Sequence, residues 1–251
     1  NAVDPDGNLV VFINGNHFGF SAPGASYWET KVYKTDANRS TIWNPRGGYL
    51  ESRYFDREVQ TQLGDNHTPR YYDGSVGGWH PIANSTVNGS AQGRIDEGYK
   101  QGKLDAKTII DNLERDKSSG NIIETIKIVT HSMGGAYGKG FVAALKEYIK
   151  TLPVEQQKQI KISLVADFDP YQAGDITADP DINTTQYKHE GGKNILGMGW
   201  LANEDEKGLD KKDIKTNTGT STDHSIFTFF CDISSLAEGI YKWNGVKWVK
   251  Q

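Results

Sequence analysis

The residues best equipped for chemistry are Thr130-His-Ser-Met-Gly-Gly135, which follow directly on the β-branched run Ile126-Lys-Ile-Val129. An apolar strand that breaks off into Ser-Met-Gly-Gly and leads into a helix-compatible segment has the form of a sharp strand-to-helix turn. Such a turn lifts one side chain, Ser132, off the end of a sheet. It also sets the next backbone N–H, that of Met133, at a helix N-terminus, where it can hold a developing oxyanion. Strand and helix pack closely there, so small residues are needed. Gly134 and Gly135 supply them on the helix side, while Thr130 stands where glycine is usual, two residues before the serine. A chance Ser-x-Gly in a loop is the alternative, and the flanking strand and helix patterns argue against it.

The elements that must hold this serine can be read around it. Leu9-Val-Val-Phe-Ile13 is a continuous apolar run ending in Asn14-Gly15, the pattern of a buried strand with a turn at its end. Residues 18–90 are rich in Gly, Asn, Tyr and Trp with weak periodicity, which predicts irregular structure with short strands, one at Arg70-Tyr-Tyr72. Residues 94–115 predict a helix with Ile95, Leu104, Ile109, Ile110 and Leu113 as its apolar stripe, ended by Ser118-Ser-Gly120. Residues 136–151 predict a second helix, with Phe141, Ala144, Leu145 and Tyr148 on one side and Pro153 beyond its end. Ile160-Lys-Ile-Ser-Leu-Val-Ala166 is another strand, running into Asp167-Phe-Asp-Pro170. Strands alternating with helices imply a mainly parallel sheet with right-handed crossovers, whose ligands bind at the carboxyl ends of the strands. Asn14-Gly15-Asn16-His17, Ser132 and Asp169 all fall just past strand ends and can converge.

Composition narrows the classes of function. A net charge of −4 without a basic cluster argues against nucleic acid as a partner. No apolar run is long enough to span a bilayer and no signal peptide is evident, which still allows a fragment of an exported protein with peripheral membrane contact. The single cysteine, Cys231, excludes an internal disulfide, and its place in Ile226-Phe-Thr-Phe-Phe-Cys231 predicts a buried, inert thiol. Neither C-x-x-C nor H-E-x-x-H occurs, so no metal or other cofactor is expected. Asp179-Pro-Asp-Ile-Asn183 has the oxygen spacing that opens some calcium loops but lacks the glycine and distal glutamate, and reads as a solvated turn.

Thr130-His-Ser-Met-Gly-Gly135 resembles the nucleophile elbow of serine lipases and esterases of the α/β-hydrolase superfamily. Val165-Ala-Asp-Phe-Asp-Pro-Tyr-Gln-Ala173 resembles the acid-bearing strand of pancreatic-type lipases. At the other end, Asn1-Ala-Val-Asp-Pro-Asp-Gly7 resembles the end of an RHS/YD-repeat core, the junction before a variable C-terminal module. The first resemblance implies a Ser, acid, His order along the chain. A serine hydroxyl is a weak nucleophile until a histidine takes its proton, and a carboxylate must orient that histidine. Of six histidines, His67 and His80 precede the serine, His131 lies inside the elbow as a packing or surface residue, and His17 sits on the loop expected to supply an oxyanion donor. His224, in the small-polar loop Thr218-Gly-Thr-Ser-Thr-Asp-His-Ser225, is the preferred base, with His189 at the end of the strand-like Thr184-Thr-Gln-Tyr-Lys-His189 as its rival. The preferred acid is Asp169, stiffened by Pro170. Asp167, two residues earlier and on the same side of an extended chain, is the main alternative, ahead of Asp175 and Glu190. The second oxyanion donor is assigned to the backbone N–H of Asn16, with His17 next, against an ordinary Asn-Gly turn.

Two features surround this site. Residues 174–223 read as a polar, Gly-rich insertion between acid and base, whose apolar island Ile195-Leu-Gly-Met-Gly-Trp-Leu201 is either a lid or a satellite core. The end of the chain, 240–249, reads as a β-hairpin with Asn244-Gly245 as a two-residue turn. That register puts Tyr241, Trp243, Val246 and Trp248 on one face and Lys242 and Lys247 on the other. The aromatic face packs on the body or, alternatively, forms a carbohydrate or partner platform.

The expectation is therefore a junction segment at 1–8 and one α/β-hydrolase domain at 9–251, a mainly parallel sheet with flanking helices and a C-terminal hairpin. Its expected function is serine hydrolysis of acyl esters, with a lipid or other acyl ester as substrate. Its expected setting is the secreted or surface-exposed end of a larger bacterial protein, where a toxic module would have a cognate immunity protein. A catalytically silent interaction module and a serine amidase, thioesterase or acyltransferase are the competing readings.

Overall fold

Long apolar runs in this chain become strands buried on both faces. The structure is a computed structural model that describes residues 8–15, 24–35, 47–65, 67–76, 90–189, 204–217, 224–238, 241–243 and 248–250. Along the chain the elements are β1 (Asn8–Asn14), β2 (Glu29–Thr35), β3 (Gly48–Tyr54), α1 (Phe55–Leu63), β4 (Arg70–Asp73), α2 (Ala91–Asp111), β5 (Thr125–His131), α3 (Gly134–Thr151), α4 (Val154–Gln159), β6 (Lys161–Phe168), β7 (Asn183–Lys188), β8 (Ile214–Thr216), β9 (Tyr241–Trp243) and β10 (Trp248–Lys250). Six strands form one sheet in the order β4-β1-β5-β6-β7-β8, and every pairing in it is parallel. The pairs β2–β3 and β9–β10 are separate antiparallel ribbons. The molecule is thus an α/β protein with a parallel sheet between helices and a C-terminal antiparallel pair.

Alternation along the central strands feeds two cores. Leu9, Val11, Ile13, Ile126 and Ile128 pack against Ile109, Tyr137, Phe141 and Leu145 of α2 and α3. Val10, Phe12, Val129, Leu164 and Phe168 face the other way, against Trp28, Phe55, Val59 and Phe229. Water is excluded from both faces, which is why these strands read as unbroken apolar runs rather than alternating ones. Lys127 interrupts β5 on the second face. It is fully buried, its ammonium donating to Thr125 Oγ1 at 2.9 Å and lying 3.2 Å from Glu238 Oε2.

Several expectations change here. α2 starts at Ala91, capped by Ser90, whose hydroxyl accepts from Gly93 N at 3.1 Å. Of the expected apolar stripe, Ile109, Ile110 and Leu113 are buried and Ile95 is partly so, but Leu104 is 75% exposed. Gly98, Gly102 and Ala106 lie inward instead and let α3 approach closely: a Cβ on Gly98 would stand 2.0 Å from Tyr137 O, and one on Gly140 would stand 1.8 Å from Ile95 O. The stretch 174–223 is no simple insertion, because it supplies the sheet strands β7 and β8. Its apolar island at 195–201 lies outside the described residues, as does the expected junction segment up to residue 7, while Asn8 already belongs to β1. The C-terminal ribbon pairs Trp243 with Trp248 and Lys242 with Val249, a register different from the one expected for a two-residue Asn244-Gly245 turn. Cys231 is exposed rather than buried, because the segment Ile226–Cys231 is a 3-10 helix whose three-residue period turns Ile226 and Phe229 inward. Within 18–90, the β2–β3 ribbon and α1 add more regular structure than the sequence suggested.

Candidate active site

β5 delivers Ser132 to the carboxyl end of the sheet, and there the backbone turns sharply. Ser132 has φ 57, in the left-handed region, a conformation that costs a non-glycine residue about 1–3 kcal/mol and persists only when its surroundings hold it. Three hydrogen bonds do so: Ser132 N donates to Phe168 O at 2.9 Å, and Ser132 O accepts from Tyr171 N at 3.0 Å and from Gly135 N at 3.1 Å. Met133 caps α3 with φ −60. Close approach leaves no room for side chains around the turn. A Cβ on Gly134 would lie 2.3 Å from Ile13 O, and one on Gly15, at the end of β1, would lie 2.4 Å from Ser132 Cβ. The glycine missing at position 130 has its counterpart on the helix. A Cβ on Gly138 would be 2.9 Å from Thr130 Cγ2, so Thr130 fits because Gly138 faces it.

His224 and Asp169 come to this serine. His224 Nε2 lies 2.7 Å from Ser132 Oγ. Its Nδ1 is 3.3 Å from Asp169 Oδ2, close enough for an ion pair but poorly aligned for a hydrogen bond. Asp169 stands just past β6 with φ 43, its N–H donating to Tyr187 O at 2.7 Å. Its buried carboxylate also meets His189, whose backbone N donates to Oδ1 at 3.0 Å and whose ring Nδ1 is 2.7 Å from Oδ2. Burial works to raise the pKa of this carboxyl, but the hydrogen bonds from His189 and the nearness of the His224 imidazole outweigh it and hold it down at about 2.

The remaining candidates separate from this cluster. Asp167 is fully buried but serves another network, accepting from Thr130 Oγ1 at 2.5 Å and from Lys139 Nζ at 2.7 Å. The two-residue spacing that should align it with Asp169 fails because Asp169 has left the extended conformation. His189 contacts Asp169. His131 is buried, its Nδ1 hydrogen-bonded to Tyr27 Oη, and its ring centroid is 5.1 Å from that of His224. Burial, then the neighbouring His224, push its pKa well below the ordinary histidine value, so it stays neutral. Asp175 lies on the 3-10 turn Ala173–Asp175. Asn16, His17, His80 and Glu190 lie outside the described residues. Asp179 and Asp181 flank Lys146, at 2.6 and 3.0 Å. Sequence reasoning passed over Tyr27, which also bonds the backbone of Gly15 and so ties the end of β1 to His131. The only signal was an aromatic pair, Tyr27-Trp28, in a Gly-rich stretch.

Behind the elbow, Lys139 lies 2.7 Å from Asp167 Oδ2 and 2.5 Å from Glu206 Oε1, all three groups buried or nearly so. Burial and repulsion by Asp167 push the Glu206 carboxyl up to about 8, even against the pull of Lys139, which it must share. A carboxyl with a raised folded pKa binds its proton more tightly folded than unfolded. Its contribution to stability is therefore full below about 4.5 and lost as pH rises toward about 8. Glu206→Gln cannot ionise and is expected to flatten the decline in Tm across that window. An equal slope in the variant would show that Glu206 is already charged in the folded state.

No protein-family model matches the chain, and no curated protein was found to be a relative. Among the described residues, no helix is long and apolar enough to cross a membrane. No group of three or more His, Cys, Asp and Glu among them is placed to hold a metal ion.

Proposed function

We propose that this chain is a serine ester hydrolase of the α/β-hydrolase type, lipase- or esterase-like. The observation that carries this reading is the 2.7 Å contact between His224 Nε2 and Ser132 Oγ, made to a serine with left-handed backbone. A parallel sheet with the serine after β5, the acid after the adjacent β6 and the histidine on a later loop supports it further. His224 takes the Ser132 proton as Oγ attacks the acyl carbonyl. The oxyanion so formed is held by the N–H of Met133 and, as the resemblance implies, that of Asn16. His224 returns the proton to the departing alkoxide, leaving an acyl-serine. Water then attacks it by the same route and releases the acid. Asp169 orients the imidazole and faces the positive charge it acquires.

The biological setting is part of the same proposal. On the resemblance of Asp4-Pro-Asp-Gly7 to an RHS/YD junction, the domain is the effector end of a larger exported bacterial protein, acting on acyl-ester lipids. The direct test is a fluorophosphonate probe followed by peptide mapping. Covalent labelling at Ser132, lost in His224→Ala, is expected. No labelling of the wild-type chain would leave the silent module as the better reading.

A further inference from the structure

β7 ends by delivering His189 to the same carboxylate that faces His224. The two imidazoles compete for one oxygen, Asp169 Oδ2, at 2.7 Å for His189 and 3.3 Å for His224. The shorter and better aligned contact belongs to the ring that does not touch Ser132. An ionised carboxylate only accepts, so the ring nitrogens facing it carry the protons, which fixes Nδ1–H in His189. That ring is buried, packed on Phe229 with centroids 4.5 Å apart. The backbone N–H of the same residue takes the other carboxylate oxygen at 3.0 Å. Asp169 therefore has both oxygens bound by one residue at a strand end. It needs such an anchor, because φ 43 has carried it off β6 and no strand pairing fixes its side chain.

We propose that His189 is a positioning residue for the reaction, holding Asp169 by two donors and drawing part of its charge away from His224. This rests on the serine-hydrolase reading. The acid is thus oriented from β7, independently of the base it serves, and His224 can move toward substrate without releasing the carboxylate. Charge sharing has a kinetic consequence. A carboxylate that already accepts from His189 stabilises the imidazolium of His224 less than an undivided one would. The other titratable groups facing this cluster are His131 on β5 and Asp232, which follows the 3-10 segment beside His189.

The test compares His189→Leu with His189→Asn, whose amide nitrogen can stand where Nδ1 stood. Both are assayed on a p-nitrophenyl ester across pH, with fluorophosphonate labelling and Tm measured alongside. The leucine variant is expected to lose about tenfold in kcat, short of the roughly 10²-fold that an ångström of misplacement can cost. KM should stay within about twofold, as for a group that acts away from substrate binding. The acidic limb of kcat/KM should move to higher pH, because the undivided carboxylate now holds the imidazolium more strongly. Asparagine should restore both kcat and the limb. An acidic limb that stays in place or moves to lower pH in the leucine variant would overturn the proposal. So would a loss of kcat that follows the loss of folded protein and is not rescued by asparagine. These outcomes are separate from failure of the hydrolase reading itself, which would show as a wild-type chain that the probe does not label.

Discussion

Ser132→Ala and His224→Ala are each expected to reduce kcat on short-chain esters by on the order of 10⁴–10⁶, and the double variant by no more than either alone. The reason for non-additivity lies in the 2.7 Å contact between the two groups. Without the imidazole the hydroxyl keeps its proton, and without the hydroxyl the imidazole has nothing to deprotonate. What remains is whatever the oxyanion donors and binding supply, and both variants retain those. Stability should change little. Alanine tolerates the left-handed turn no worse than serine, and the three main-chain hydrogen bonds that hold the turn do not involve the side chain. The lost contact contributes about 1 kcal/mol, a fall in Tm of roughly 2–4 °C for a chain of this size. A Ser132→Ala enzyme that still turns over ester at a tenth of the wild-type rate would exclude Ser132 as nucleophile. Losses that multiply in the double variant would mean that the two residues act in separate steps.

What the sequence makes legible follows from burial. β1, β5 and β6 are apolar on both faces, so their runs stand out whatever their neighbours do. The β2–β3 ribbon carries no such signal, because it packs on one side at most and leaves Tyr33 and Leu50 exposed. On α2 Ile109 and Ile110 point inward as their hydrophobicity suggests, but Leu104 points outward and Gly98, Gly102 and Ala106 make much of the contact with α3, so hydrophobicity alone misplaces one residue and misses the small ones. The choice between Asp167 and Asp169 could not be settled from spacing. It turns on a single positive φ, which no local pattern announces. The Lys139–Asp167–Glu206 network joins α3, β6 and a residue beyond β7, and only the folded arrangement shows that these charges meet. The elbow was readable for the opposite reason: its demands for a serine, a helix start and glycines all fall within six consecutive residues.

Gly15→Ala is expected to lower kcat by on the order of 10²-fold while costing about 1–3 kcal/mol of stability. The new methyl would stand 2.4 Å from Ser132 Cβ, 2.8 Å from His131 O and 3.0 Å from Ser132 Oγ. Neither side yields easily. The elbow is held by its main-chain hydrogen bonds. Gly15 is held by Asn14, whose Nδ2 donates to Gly15 O at 2.8 Å and to Asp73 Oδ1 at 3.0 Å, and by the link through Tyr27 to His131. Relief must come from displacing Ser132, the residue after Gly15, or both, and in the proposed reaction these are the groups whose separation sets the oxyanion geometry. Gly140→Ala is the matched control. Its methyl would press against Ile95 O at the α2–α3 contact, so it should destabilise the fold by a comparable amount. It lies a turn and more along α3 from the elbow and should leave kcat near the wild-type value. Equal losses of kcat in the two variants would mean that activity follows general stability. A Gly15→Ala enzyme with wild-type kcat would show that the end of β1 takes no part in positioning Ser132 or the oxyanion.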